Sequence, residues 1–160
     1  MSLARGRCNQ KLYYASIQLQ GLHQALQASK SPETILLEAY GQAVQGHLLD
    51  AYGWFLLELA EVADLPKVPP SSLSELAGAT EPAQPLRGEL VELQNLESDP
   101  QSWLARLLAA PHHSVSDTGR PSQALLASSQ AGVWSVLELE AWCRELTSMT
   151  DRMGDSLDEW

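Results

Sequence analysis

The sequence predicts an all-α protein: a helical bundle of about four to six helices, with a long antiparallel N-terminal hairpin and a long C-terminal helix. Three observations carry that prediction. Between Pro32 and Val62 the apolar positions Leu36/Leu37, Tyr40, Val44, His47/Leu48, Ala51, Phe55, Leu59 and Val62 recur every three or four residues, the period of a helix with one face turned to a core. The link before this stretch, at Ser31-Pro32-Glu33, is so short that two successive helices must fold back on each other. Strand-like alternation is missing throughout. With 160 residues, 44% of them hydrophobic, the chain reads as one helical-bundle domain over 1–160 that buries its own core.

The elements follow in order. A first helix is expected over about Asn9 to Ser29, with Leu12, Ala15/Ser16, Leu19, Leu22 and Leu26 on one face. Ser31 then reads as an N-cap and Pro32 as the first helical residue, where a missing N–H costs nothing. A turn near Lys30 sets a register in which facing residues have numbers summing to roughly 60. That register brings Lys11 near Asp50 and Tyr13/Tyr14 near His47. Gly41, Gly46 and Gly53 each weaken the second helix by roughly 1 kcal/mol relative to alanine, so close approach by neighbours, a bend, or a ligand passage must offset them.

Pro66, Pro69 and Pro70 end that helix. Ser72-Leu73-Ser74-Glu75 fits a capping box opening a short helical turn through about Ala77. Leu86, Leu90, Leu93 and Leu96 mark a modest helix, and Ser98-Asp99-Pro100 reads as the start of another that carries Trp103, Leu104, Leu107 and Leu108. Leu125, Ser129, Gly132/Val133, Val136, Leu139/Glu140, Cys143, Leu146, Met149/Thr150 and Met153 suggest one long final helix, with a fraying acidic end from Asp155. Segments 66–85, 111–121 and 154–160 are expected to be flexible.

Charge narrows the function classes. Residues 1–32 hold Arg5, Arg7, Lys11 and Lys30 and no acid, whereas residues 33–160 hold all twenty acids and six basic residues, leaving the chain at −10. Most of such a surface repels nucleic acid, so nucleic-acid binding is disfavoured. Cys8 and Cys143 are too few for a disulfide framework and read as free thiols, with a single terminal clasp as the alternative. No apolar run follows Arg5 and Arg7 as a signal peptide requires, and no stretch reaches membrane-spanning length, so a cytoplasmic protein without membrane contact is expected.

Catalytic motifs are missing. His112 and His113 beside Asp117 are the nearest approach to a metal cluster, but a closed zinc site needs ligands from elsewhere. No Glu precedes a His by three residues, which argues against a di-iron bundle site. His47 and Asp50 could orient an imidazole, yet no nucleophile is tied to them, and a local polar pair is the simpler reading. No metal and no cofactor is expected, because phosphate-binding loops, dinucleotide fingerprints and paired Cys-x-x-Cys steps are all missing.

The aromatic residues are more suggestive. Tyr13, Tyr14, Tyr40, Tyr52, Trp54 and Phe55 cluster in the first hairpin, and Trp134 and Trp142 lie towards the end of the chain. Most suit a core, but Tyr and Trp also favour interfaces with a wet edge. Trp54 adjoins the inward-facing Phe55 and is therefore expected on an exposed flank. Tyr13, Tyr14, Tyr52 and Trp54 are the protein-interaction candidates, and Asn9, Gln10, Lys11, His47 and Asp50 the polar recognition candidates.

The opening Arg7-Cys8-Asn9-Gln10-Lys11-Leu12-Tyr13-Tyr14-Ala15, with Leu19 and Leu22, resembles an uncharacterised family of small helical proteins from Pseudomonas and related gammaproteobacteria, a domain of unknown function. The resemblance implies a bacterial cytoplasmic protein and supplies no catalytic residues. The expected function is a non-enzymatic protein-interaction or structural module, with a protein partner or a second copy as the occupant. Small-molecule binding in the bundle is the first alternative. An RNA-processing or toxin-antitoxin-like helical enzyme using Arg5, Arg7, Lys11 and His23 or His47 is the second.

Overall fold

The computed structural model describes residues 2–28, 30–79, 87–110 and 134–158. Six α-helices and no strand occur among them: α1 (Leu3–Ala28), α2 (Glu33–Leu59), α3 (Leu73–Ala79), α4 (Gly88–Ser98), α5 (Trp103–Ala109) and α6 (Val136–Asp158). The expected hairpin is present, since α1 and α2 pack along their whole length. Its register runs one residue beyond the expected sum, with Arg7 on Trp54, Lys11 on Asp50, Tyr14 on His47 and Gly21 on Tyr40.

The first helix begins six residues before Asn9. The Ser2 hydroxyl accepts the Arg5 N–H at 3.0 Å and caps it, while Ala4 and Cys8 are buried. At the second helix the cap is Pro32 rather than Ser31, and no side chain closes that end. α2 terminates in a Schellman arrangement. The Val62 N–H bonds the Leu57 carbonyl, the Glu61 N–H bonds that of Glu58, and Glu61 takes a left-handed φ of 53°.

The largest departure concerns the role of α2. A helix with one inward stripe is expected, but Ala51 through Leu57 and Leu59 are all buried, so its C-terminal half is enclosed on every side. α1, α3, α5 and α6 all contact it. Two of its glycines serve these contacts. A Cβ at Gly41 would lie 3.1 Å from the Trp134 ring, and one at Gly53 would strike the Pro70 carbonyl and come within 2.7 Å of Pro69 Cβ. At both positions, a neighbour fills the space where a ligand passage had been the alternative.

The short helices are placed by polar caps. Ser72 Oγ accepts the Glu75 N–H, and the Glu75 carboxylate reaches back to the Ser71 N–H at 2.9 Å, one residue earlier than the expected box. Ser102, not Ser98, caps α5: it accepts the Ala105 N–H at 3.0 Å and donates to the Leu96 carbonyl. Ser98 instead closes α4. The buried Gln45 amide donates to the carbonyls of Leu107 and Ala110, tying the end of α5 to α2.

Ser135 Oγ accepts the Glu138 N–H at 3.1 Å, which starts α6 at Val136, so the final helix does not run unbroken from Leu125. Leu139, Trp142, Leu146, Met149 and Met153 form its buried stripe. The helix continues through Asp158, and Leu157 packs against the core. Residues 111–133, with His112, His113, Asp117 and Leu125, lie outside the described residues. The two cysteines are free, Cys8 buried and Cys143 half-buried.

Candidate functional site

The hairpin carries the interaction candidates, and the fold divides them. Tyr52 and Trp54 belong to the core. Tyr52 is fully buried, and its hydroxyl donates to Glu97 Oε1 at 2.5 Å; burial and that carboxylate push the phenol well above its ordinary range. Glu97 Oε1 also accepts the Leu73 N–H at 3.0 Å, so this one oxygen joins α2, α3 and α4. Trp54 is 4% exposed, and the Arg7 guanidinium of α1 lies 4.5 Å from its ring centroid. The expected exposed flank does not exist, because α2 is surrounded.

Four of the other candidates pair across the hairpin, α1 against α2. Lys11 Nζ is 3.1 Å from Asp50 Oδ2, and the Tyr14 ring meets His47 edge-on with centroids 5.5 Å apart. Burial and then Lys11 lower the His47 pKa below its ordinary 6.5, against the opposing pull of Asp50. His47 and Asp50 thus each meet a side chain of α1. Asn9 is half-buried and Gln10 exposed. Tyr13 is 64% exposed and Tyr14 38% exposed.

Around Tyr13 lies a surface that residue-by-residue reading missed. The exposed positions of α1 are Leu3, Gln10, Tyr13, Tyr14, Ser16, Ile17, Gln20, Gln24, Gln27 and Ala28, and none is charged. From Gln10 to Gln27 this face runs ~25 Å at 1.5 Å per residue. The signal was available in outline: from Asn9 to Ala28 the only ionisable side chains besides tyrosine are Lys11 and His23. Both turn to partners, Lys11 to Asp50 and His23 Nε2 to Glu140 Oε1 at 2.7 Å. The remaining basic residues of α1 are likewise engaged. The Arg5 guanidinium bonds the Thr150 carbonyl at 2.5 Å and Asp151 Oδ1 at 3.2 Å, and lies 4.0 Å from Glu58 Oε2.

A second feature sits at the end of the bundle where α1 begins and α2 and α6 finish. An open cleft of about 1030 Å³ is bordered by Arg5, Arg7, Glu58, Glu61, Asp64 and Leu157. Cys8 stands close by, but burial outweighs the attraction of Arg5 and pushes its thiol up to about 12. Cys143 is pushed up to about 11 by burial and then Glu140. Burial thus disfavours the thiolate at both cysteines. Among the described residues no group of three or more His, Cys, Asp or Glu could hold a metal ion, and no helix is long and apolar enough to cross a membrane.

No curated protein and no solved structure matches the chain. One family model does, and it extends over residues 1–160, the hairpin, the short helices and the C-terminal helix together. The chain therefore belongs to a family of unknown function, DUF6586.

Proposed function

We propose that this chain is a non-enzymatic helical module of the bacterial cytoplasm that works by binding a protein through the outer face of α1. The observation that carries the reading is the uncharged, tyrosine-bearing exposure from Gln10 to Gln27 on a chain of net charge −10. Depletion of charge with enrichment of Tyr is what separates the centre of an interface from ordinary surface. The chemistry of the described residues points the same way: both thiols are held protonated, and Arg5, Lys11 and His23 are committed to partners within the fold.

The reading is tested by isolating the tagged chain from its own cells beside an Ile17→Lys variant and a Leu137→Lys control, the latter on the exposed flank of α6. Loss of the same co-purifying proteins from Ile17→Lys alone is the expected result. An unchanged set in both variants overturns it.

The cleft bordered by Arg5, Arg7 and Asp64 favours a second reading, a small-molecule site for a zwitterionic or amphipathic ligand. Thermal-shift screening with such compounds checks it, and a hit that persists in Arg7→Ala places the ligand elsewhere.

A further inference from the structure

The structure assigns an internal water site where α2, α5 and the approach to α6 meet: one bound water joins the indole N–H of Trp134 to the side-chain oxygen of Gln45. Trp134, just ahead of α6, lays its ring on Gly41, 3.1 Å from where a Cβ would stand. Gln45 follows Gly41 by four residues, so its side chain leaves α2 on the same face, one turn further on. From there its amide nitrogen donates to the Leu107 and Ala110 carbonyls at 3.2 and 2.8 Å. One stretch of α2 therefore receives both the end of α5 and the chain entering α6. Neither Gln45 nor Trp134 borders the cleft or lies on the outer face of α1, so the site stands apart from both readings proposed above.

Both side chains are interior, Gln45 at 0% and Trp134 at 8% exposure, and each keeps one buried polar atom without a partner among the described residues: Gln45 Oε1 and Trp134 Nε1. They do not bond each other. A buried polar atom left unpaired carries its full desolvation penalty, which is why such atoms almost always find a protein group or an ordered water. The two needs are opposite, since an amide oxygen only accepts and an indole N–H only donates. The occupant must accept from one and donate to the other. An ammonium or metal cation cannot accept from Trp134, and a carboxylate or phosphate dianion has no proton for Gln45. Water does both, and its second proton can go to the free lone pair of the Leu107 or Ala110 carbonyl, which ends α5 without an intrahelical donor. Indole, amide and carbonyl then supply the about three hydrogen bonds that a buried water typically makes.

Water-selective NOE and ROE spectra of the nitrogen-labelled full chain read the site at the Trp134 indole proton, which is assigned by the one indole signal missing from Trp134→Phe. The expected result is a cross-peak to water with opposite signs in the two spectra, the signature of a held molecule and not of hydrogen exchange. Gln45→Met keeps the length of the side chain and removes its oxygen, so the cross-peak should be lost while helical circular dichroism is unchanged. A second readout needs no variant: a crystal structure of the wild type should show a water within hydrogen-bond distance of both Gln45 Oε1 and Trp134 Nε1. A wild-type indole proton without a water cross-peak overturns the inference, as does a crystal structure in which the two side chains bond each other or a protein group fills the position. A cross-peak that persists in folded Gln45→Met overturns the bridge to Gln45.

Discussion

α1 and α6 both lie against α2, yet they are attached by different means. α1 meets α2 in one unbroken register from Arg7–Trp54 through Lys11–Asp50 and Tyr14–His47 to Gly21–Tyr40. α6 has a buried apolar stripe, but its polar attachments to the hairpin come at separate points: His23–Glu140 near its start and Arg5 with Thr150 and Asp151 near its end. Trp134 against Gly41 holds the approach to it. The outer faces contrast as well. That of α6 displays Arg144, Glu145, Asp151, Arg152 and Asp155, and that of α1 displays no charge. A charged outer face is what solubility alone asks of a surface helix. The neutral face of α1 is the observation on which the proposed binding role rests.

Substitutions along the two attachments can break or sharpen this contrast. Trp54→Ala should have the largest effect. It removes a buried indole and the platform for Arg7, so denaturant titration should show a loss of about 3–5 kcal/mol, as for other large aromatic truncations in a core. A change below about 1 kcal/mol would return Trp54 to the surface role its position beside Phe55 suggested.

Arg5→Ala follows at about 3 kcal/mol, because the Glu58 carboxylate and the Thr150 carbonyl lose a cation held in a mostly buried setting. If α6 depends on such point attachments, its amides should exchange hydrogen faster in this variant while the α1–α2 seam stays protected. Equal acceleration in both would mean that the two attachments are one cooperative unit.

At the end of α2, Glu61→Gly should raise stability by ~0.5–1 kcal/mol. Glycine adopts the left-handed conformation of the Schellman position without strain, and the Arg87–Glu61 pair that is lost is solvent-exposed and contributes little. A lower thermal midpoint would show that the ion pair outweighs the backbone.

The smallest effect concerns pH at the hairpin seam. The His47 pKa is lower in the fold than the 6.5 of the unfolded chain, so the unfolded state takes up its proton first as pH falls. Its contribution to stability is complete above about pH 6.5 and is lost below that value. His47→Phe should flatten the fall of the denaturation midpoint from about pH 7 to about pH 5.5, and an unaltered slope would place the titration elsewhere.

The amino-acid sequence by itself determined the helical class, the hairpin and its register, because these depend on short-range signals: apolar periodicity, a proline at the helix start and a link too short for anything but reversal. Lys11–Asp50 and Tyr14–His47 follow from counting along two helices joined by so short a link. The short-range pattern also pointed to most of the core of α6. It could not tell how many neighbours each helix would have. Tyr52 and Trp54 are interior because α3, α5 and α6 close round a helix that one stripe would have left half open. Gln45 bonding the end of α5, Glu97 joining three helices and Arg5 clasping α6 from the start of α1 are contacts between residues distant in the chain. The neutral face of α1 emerged for the same reason. Lys11 and His23 are charged or ionisable in the sequence, and only the packing of α2 and α6 beside them turns both away from it.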